Sequence, residues 1–142
     1  MAVAVKGSQI SSDLEMKIKS MLISFITVNY HSDEDTLSLI TDLEKNELPQ
    51  GVEIKVIAVD NSRSESFRSQ IKRHPVAEYV DSPNGNIGFA AGNNLGLKKA
   101  LEIGSDYVVL INNDTIAPKD LVKQITKSPI TQKEVGIVGG LI

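Results

Sequence analysis

Three clusters of polar residues each follow directly on a short apolar run of the chain. They are Asn29-Tyr30-His31, Asp60-Asn61-Ser62 and Asn112-Asn113-Asp114-Thr115. Carboxylate and amide oxygens are ligands for hard divalent cations, and an aromatic face beside them suits a nucleoside. Because the chain contains no cysteine, a metal ion would be held by oxygen atoms or by histidine. These residue types predict a site for a nucleotide and a metal ion.

The apolar runs before these clusters have the composition of buried β-strands. They span Leu22 to Val28, Ile54 to Val59 and Tyr107 to Ile111, with a weaker strand at Val76 to Val80 and the start of another at Val135 to Val138.

Helical patterns alternate with the strands. One follows Ser32, which with Asp35 resembles a capping box, and a short one covers Glu65 to Lys72. Another covers Asn94 to Ile103 with its start near Gly88 or Phe89 and Gly104 after its end, and Pro118 suits the first turn of a last helix. This alternation predicts an α/β fold with a mostly parallel sheet flanked by helices, which brings the polar clusters to one edge.

Composition narrows the classes of protein. With 142 residues, 41% hydrophobic and 23% charged, the chain suits one globular domain, which we assign to residues 21–142 after an extension at residues 1–20. A net charge of −3 gives no basic surface for nucleic acid. No apolar run approaches the roughly 18 residues of a membrane span and none resembles a signal peptide, so we expect a cytoplasmic location.

Phosphate-binding motifs of two common kinds are missing from the sequence. No G-x-G-x-x-G turn follows the first strand, and no G-x-x-x-x-G-K-[ST] loop occurs. The glycine-rich segment from Asn84 to Gly96 comes later, where small residues allow the backbone to approach a ligand closely. A dinucleotide-binding dehydrogenase and a P-loop enzyme are therefore both disfavoured.

Four motifs in this order resemble family 2 glycosyltransferases, in particular their rhamnosyltransferase-like branch. They are Val28-Asn29-Tyr30, Val59-Asp60-Asn61-Ser62, the segment from Asn86 to Gly96, and Leu110-Ile111-Asn112-Asn113-Asp114. The resemblance covers about Leu22 to Ile142. It implies the glycosyltransferase A (Rossmann-like) fold, a nucleoside diphosphate sugar donor and Mn²⁺ or Mg²⁺ as cofactor.

The resemblance also implies roles for individual residues. It makes Asp60 an acceptor for the base and Asp114 the metal ligand that bridges the diphosphate, while Asn112 stands where the family usually has the first Asp of its Asp-x-Asp motif. Asn93 stands where many relatives have Arg. The residues implied to bind substrate are Val28, Asn29, Tyr30, Asp60, Asn86, Gly88, Asn93, Asn112 and Asn113.

Structural roles for the same residues remain open. Asp60 could brace a turn, Asp114 could start a helix-initiating turn, and Gly88, Gly92 and Gly96 could serve helix–sheet packing. Tyr30 could stack on a base or cover the sheet edge. We interpret His31 as a surface or capping residue rather than a general base.

The resemblance implies an inverting transfer from dTDP-rhamnose or a UDP-sugar to a hydroxyl of a saccharide or lipid-linked acceptor, with peripheral membrane association of the full-length protein. Relatives continue into an acceptor-binding half that supplies the general base, so we expect this chain to be a fragment, truncated after the donor-binding half, with no catalytic residue of its own. The alternatives are a non-catalytic nucleotide-sugar-binding module and a purely structural interaction domain.

Overall fold

The computed structural model describes residues 20–129, 132–134, 136–137 and 139. Within them, the strands are β1 (Met21–Asn29), β2 (Val52–Asp60), β3 (Ala77–Asp81) and β4 (Tyr107–Leu110). The helices are α1 (Asp33–Glu44), α2 (Glu65–Ile71), α3 (Phe89–Glu102) and α4 (Leu121–Lys127).

The four strands form one parallel sheet in the order β3-β2-β1-β4. The pairing of β1 with β2 runs from Met21 opposite Val52 to Asn29 opposite Asp60. All four strands therefore end at the same side of the sheet, which we call the carboxyl edge. The predicted α/β fold with a parallel sheet is confirmed.

Neighbouring residues of β1 point to opposite faces of the sheet, and each face is covered. Phe25 belongs to a core cluster with Leu39 of α1 and Phe67 of α2. Ile26 belongs to a second cluster with Ala100 of α3. Because a parallel strand buried on both sides needs apolar residues throughout, β1 reads as a continuous apolar run in the sequence.

The ends of α3 follow from glycines with positive φ. Gly88, at φ +84°, is the N-cap residue, and Gly104, at φ +76°, follows the last turn. The amide of Ser105 donates to the Ala100 carbonyl and that of Gly104 to the Leu101 carbonyl. This Schellman arrangement confirms Gly104 as the residue that ends the helix.

Two predicted helix starts are wrong in detail. The Ser32 side chain does not cap α1; its hydroxyl donates to the Tyr30 carbonyl instead, so there is no capping box with Asp35. Pro118 precedes α4 rather than lying in its first turn. The N-terminus of α4 is satisfied from a distance, because the Asn46 side chain accepts from the Val122 amide and donates to the Pro118 carbonyl.

Some predictions fall on other parts of the chain. Residues 1–19 of the predicted extension, together with Val135 and Val138 of the predicted last strand, lie outside the described residues, while Gly136 and Ile137 are described and are not in a strand. No helix of the described part is long and apolar enough to cross a membrane.

Gly96 allows α3 to pack closely on β1. A Cβ atom added at Gly96 would lie 2.3 Å from Cγ2 of the buried Ile26. Ile26 is β-branched and sits in a central strand, so it has little freedom to move away. The packing role left open for Gly96 is thus present in the structure.

We predict that Gly96→Ala destabilises the fold by about 1–3 kcal/mol, because overpacking outweighs the gain in helix propensity of about 1 kcal/mol. Urea unfolding measures the difference. The control is Asn94→Ala, at an exposed position of the same helix, which we expect to leave stability unchanged or slightly higher. Equal stability of Gly96→Ala and wild type would contradict the close packing.

Candidate functional site

A fully buried carboxylate lies at the end of β2. Asp60 has 0% relative exposure, and its Oδ1 accepts from Asn29 Nδ2 at 3.1 Å and from the Ser62 amide at 2.9 Å. Its Oδ2 accepts from the Ser64 amide at 2.8 Å and from the Tyr79 hydroxyl at 3.0 Å. A buried charge is tolerated when such donors surround it. Asp60 therefore braces the loop after β2, while its predicted role as base acceptor stays a prediction.

A chain of side-chain hydrogen bonds continues from Asp60 across the carboxyl edge. Asn29, also fully buried, donates to both Asp60 and Asp33. Its Oδ1 accepts from the Thr36 hydroxyl at 3.1 Å. Thr36 in turn accepts from Asn113 Nδ2 at 3.1 Å. The three polar clusters recognised in the sequence are thus joined in one network.

The glycine-rich segment is tied to this network through Asn61. The Asn61 amide donates to the Asn29 carbonyl, and its Nδ2 donates to the Gly88 carbonyl at 3.2 Å. Asn86 accepts from the Gly88 amide through Oδ1 at 3.0 Å. Val28 lies against Gly92, where an added Cβ would be 3.0 Å from Val28 Cγ2. The start of α3 is therefore held at the carboxyl edge.

Other predicted site residues make few contacts with the described chain. Tyr30 is 49% exposed, and its ring lies 4.4 Å from that of His31. Asn112 and Asp114 are exposed, and neither side chain bonds to a described residue. Asn93 is buried, and its Nδ2 donates to the Phe89 carbonyl of its own helix. The structure thus separates residues that hold the edge together from residues that are free at its surface.

The sequence analysis missed three residues that complete the network. Tyr79 and Ser64 bond to the Asp60 carboxylate, and Asp33 accepts from Asn29 and from the Ser64 hydroxyl. A signal existed for Ser64, which caps α2 by accepting from the Phe67 amide. No local signal marks Tyr79, because its contact depends on the register of β3.

A metal ion at this edge would need oxygen atoms from a second molecule. No group of three or more His, Asp or Glu side chains in the described residues is arranged to hold a metal. Asp114 offers one exposed carboxylate, and the neighbouring Asn113 amide nitrogen is bonded to Ser32 and Thr36. One or two carboxylates with substrate phosphates and water are a common way to hold Mg²⁺. The residues fit a cation shared with a diphosphate, not one held by protein alone.

The Tyr79 hydroxyl gives the network a pH dependence. Burial raises the pKa of Tyr79, and the hydrogen bond to Asp60 and the charge of Asp60 raise it further. A raised pKa means that the folded state holds the proton more tightly than the unfolded state. The contribution of this bond to stability is therefore full below about pH 10 and is lost as the pH rises above that value.

We predict that Tyr79→Phe lowers the free energy of unfolding by about 1–3 kcal/mol near neutral pH, since Asp60 loses a donor. The variant should also lose less stability than wild type between about pH 8 and about pH 11. Urea unfolding at both pH values tests this, with Tyr107→Phe on β4 as control. Parallel pH profiles for wild type and Tyr79→Phe would show that the bond to Asp60 contributes nothing.

Comparison with known proteins agrees with this arrangement. The model of the family Glycosyl transferase family 2 matches residues 24–141. The low-salt glycan biosynthesis hexosyltransferase Agl10 of Haloferax volcanii is 34% identical over 104 residues, which are 72% of this chain and 31% of that protein. The chain therefore spans about a third of the length of this relative.

Solved structures share the fold at lower identity. The Staphylococcus aureus protein TarS 1-349 in complex with UDP-GlcNAc aligns with a TM-score of 0.62 and 21% identity, over 75% of this chain and 30% of that one. The mannosyltransferase PcManGT of Pyrobaculum calidifontis, in complex with GDP-Man and Mn²⁺, aligns with a TM-score of 0.66 and 20% identity, over 80% of this chain and 33% of that one. The match of the family model to most of the chain decides the family: the chain belongs to glycosyl transferase family 2.

Proposed function

We propose that this chain is the donor-binding part of a glycosyltransferase. In the intact protein, a sugar passes with inversion from dTDP-rhamnose or a UDP-sugar to a hydroxyl of a saccharide or lipid-linked acceptor. The observation that carries the proposal is the hydrogen-bond chain from Asp60 through Asn29 and Thr36 to Asn113, which gathers the polar clusters at one edge. Ligands of open α/β sheets bind at that edge.

The proposed roles divide along the line that the contacts draw. Asn29, Asp60 and Asn113 position the loops, because their side chains are engaged with other residues. Tyr30 is exposed and offers a ring on which a base can stack. For Asp60 to accept a hydrogen bond from the base as well, one of its four present donors has to give way.

Four further residues complete the proposed donor pocket. Val28 and Asn93 line it, and Asn86 and Gly88 bring backbone close to the donor. Asn112 and Asp114 face the diphosphate, with Asp114 as the protein carboxylate that would hold Mn²⁺ or Mg²⁺. Such a cation, when bound, neutralises charge on the departing diphosphate.

The rest of the activity belongs to sequence beyond this chain. We propose that the carboxylate general base and the acceptor site lie in the other two thirds of the intact protein, as the length of the relative allows. The cytoplasmic location and peripheral membrane association are part of the same proposal. A non-catalytic nucleotide-sugar-binding module remains the alternative. It predicts the same donor binding, but an intact protein that lacks such a base.

We predict that Asp114→Asn removes the metal-dependent part of nucleotide affinity and leaves the fold intact. An amide keeps the shape of the side chain but lacks the charge that a hard cation requires. Calorimetry with UDP and dTDP in Mn²⁺ should show at least a tenfold loss, about 1.4 kcal/mol, and no comparable loss in chelator.

The matched control is Glu102→Gln, which removes an exposed carboxylate at the far end of α3. Its affinity in Mn²⁺ should equal that of wild type. If Asp114→Asn binds both nucleotides like wild type at every Mn²⁺ concentration, Asp114 is not the metal ligand. If the wild-type protein binds neither nucleotide, the proposed function itself is wrong.

A further inference from the structure

Arg63 is a cation with no assigned role at the carboxyl edge. It is the one Lys or Arg in the loops after β1, β2 and β3, which are residues 30–32, 61–64 and 82–88. Its side chain is exposed and makes no hydrogen bond or ion pair with a described residue. Every other described Arg or Lys lies in a helix or strand, or in another loop.

The backbone at Arg63 is held in an unusual conformation. Its φ is +57°, in the left-handed region that side chains other than glycine rarely adopt. The amides of the residues on either side, Ser62 and Ser64, both donate to the buried Asp60 carboxylate at 2.9 and 2.8 Å. Asp60 thus clamps the loop on both sides of Arg63 and fixes where the arginine leaves the backbone.

The surroundings of Arg63 are acidic. Asp33, Glu34 and Asp35 begin α1 next to this loop, and Asp33 bonds to the Ser64 hydroxyl at 2.8 Å. Asp114 lies in the loop after β4. A diphosphate bound among these carboxylates is repelled unless a cation compensates it. Arg63 does not spend its charge on any of these carboxylates, so its charge is available to a ligand.

We propose that Arg63 binds phosphate oxygens of the donor diphosphate and so determines affinity for charged over uncharged nucleosides. This inference rests on the proposed function, since it concerns the same edge. A guanidinium suits the task because its planar set of N–H groups matches two phosphate oxygens at once. The fixed loop reduces the freedom that Arg63 loses on binding.

Calorimetry with four probes tests the proposal: UDP, dTDP, uridine and inorganic pyrophosphate, each in Mn²⁺. The variants are Arg63→Gln and Arg63→Gly, with Arg73→Gln as control, an exposed arginine just after α2, at the opposite edge of the sheet. We expect both Arg63 variants to bind UDP, dTDP and pyrophosphate at least tenfold more weakly. Uridine binding should not change, and Arg73→Gln should behave like wild type.

The glycine variant separates binding from folding. Glycine adopts φ +57° without strain, so Arg63→Gly should unfold within a few degrees of wild type, and its weaker binding cannot come from a damaged fold. Unchanged UDP and pyrophosphate affinity in both variants would overturn the proposal. So would an equal loss for uridine and UDP, which is the signature of stacking on the base.

Failure of the proposed function gives a different result. If wild type binds no nucleotide, pyrophosphate still decides the role of Arg63. Pyrophosphate binding that depends on Arg63 keeps the anion site, whereas binding that is absent or independent of Arg63 overturns it.

Discussion

The buried Asp60 carboxylate is the interaction on which the carboxyl edge depends. Its four donors come from β1, from the loop after β2 and from β3, so one side chain joins three consecutive segments of the fold. Removing a partner from such a buried charge is far more costly than losing an exposed ion pair. The apolar core fixes the sheet, and Asp60 fixes what stands at its end.

The edge built in this way has an inner layer that is fully engaged and an outer layer that is free. Asn29 and Asp60 are buried and saturated, whereas Tyr30, Arg63 and Asp114 are exposed. Rigid support beneath free functional groups is what precise ligand positioning requires. The same division suits an enzyme whose donor supplies part of the metal coordination, since the described residues alone do not surround a cation.

Much of this could be read from the sequence, because buried parallel strands are continuous apolar runs and polar residues mark where they end. Contacts between distant segments could not. Tyr79 reaches Asp60 only because β3 pairs with β2 so that Tyr79 lies opposite Ala58, two residues before Asp60 and on the same face. Likewise, Asn46 caps α4 from 76 residues away in sequence. Local capping rules therefore misassigned Ser32 and Pro118.

The most direct test of the account is a map of where a nucleotide touches this chain. Backbone amide NMR shifts of the protein, titrated with UDP or dTDP in Mg²⁺, report each residue separately. The account predicts that the largest changes fall in residues 29–32, 61–64, 86–93 and 112–114, with little change at the opposite edge around Gly51 and Gly104. Changes centred on that opposite edge, or no saturable change with either nucleotide, would contradict a nucleotide site at the carboxyl edge.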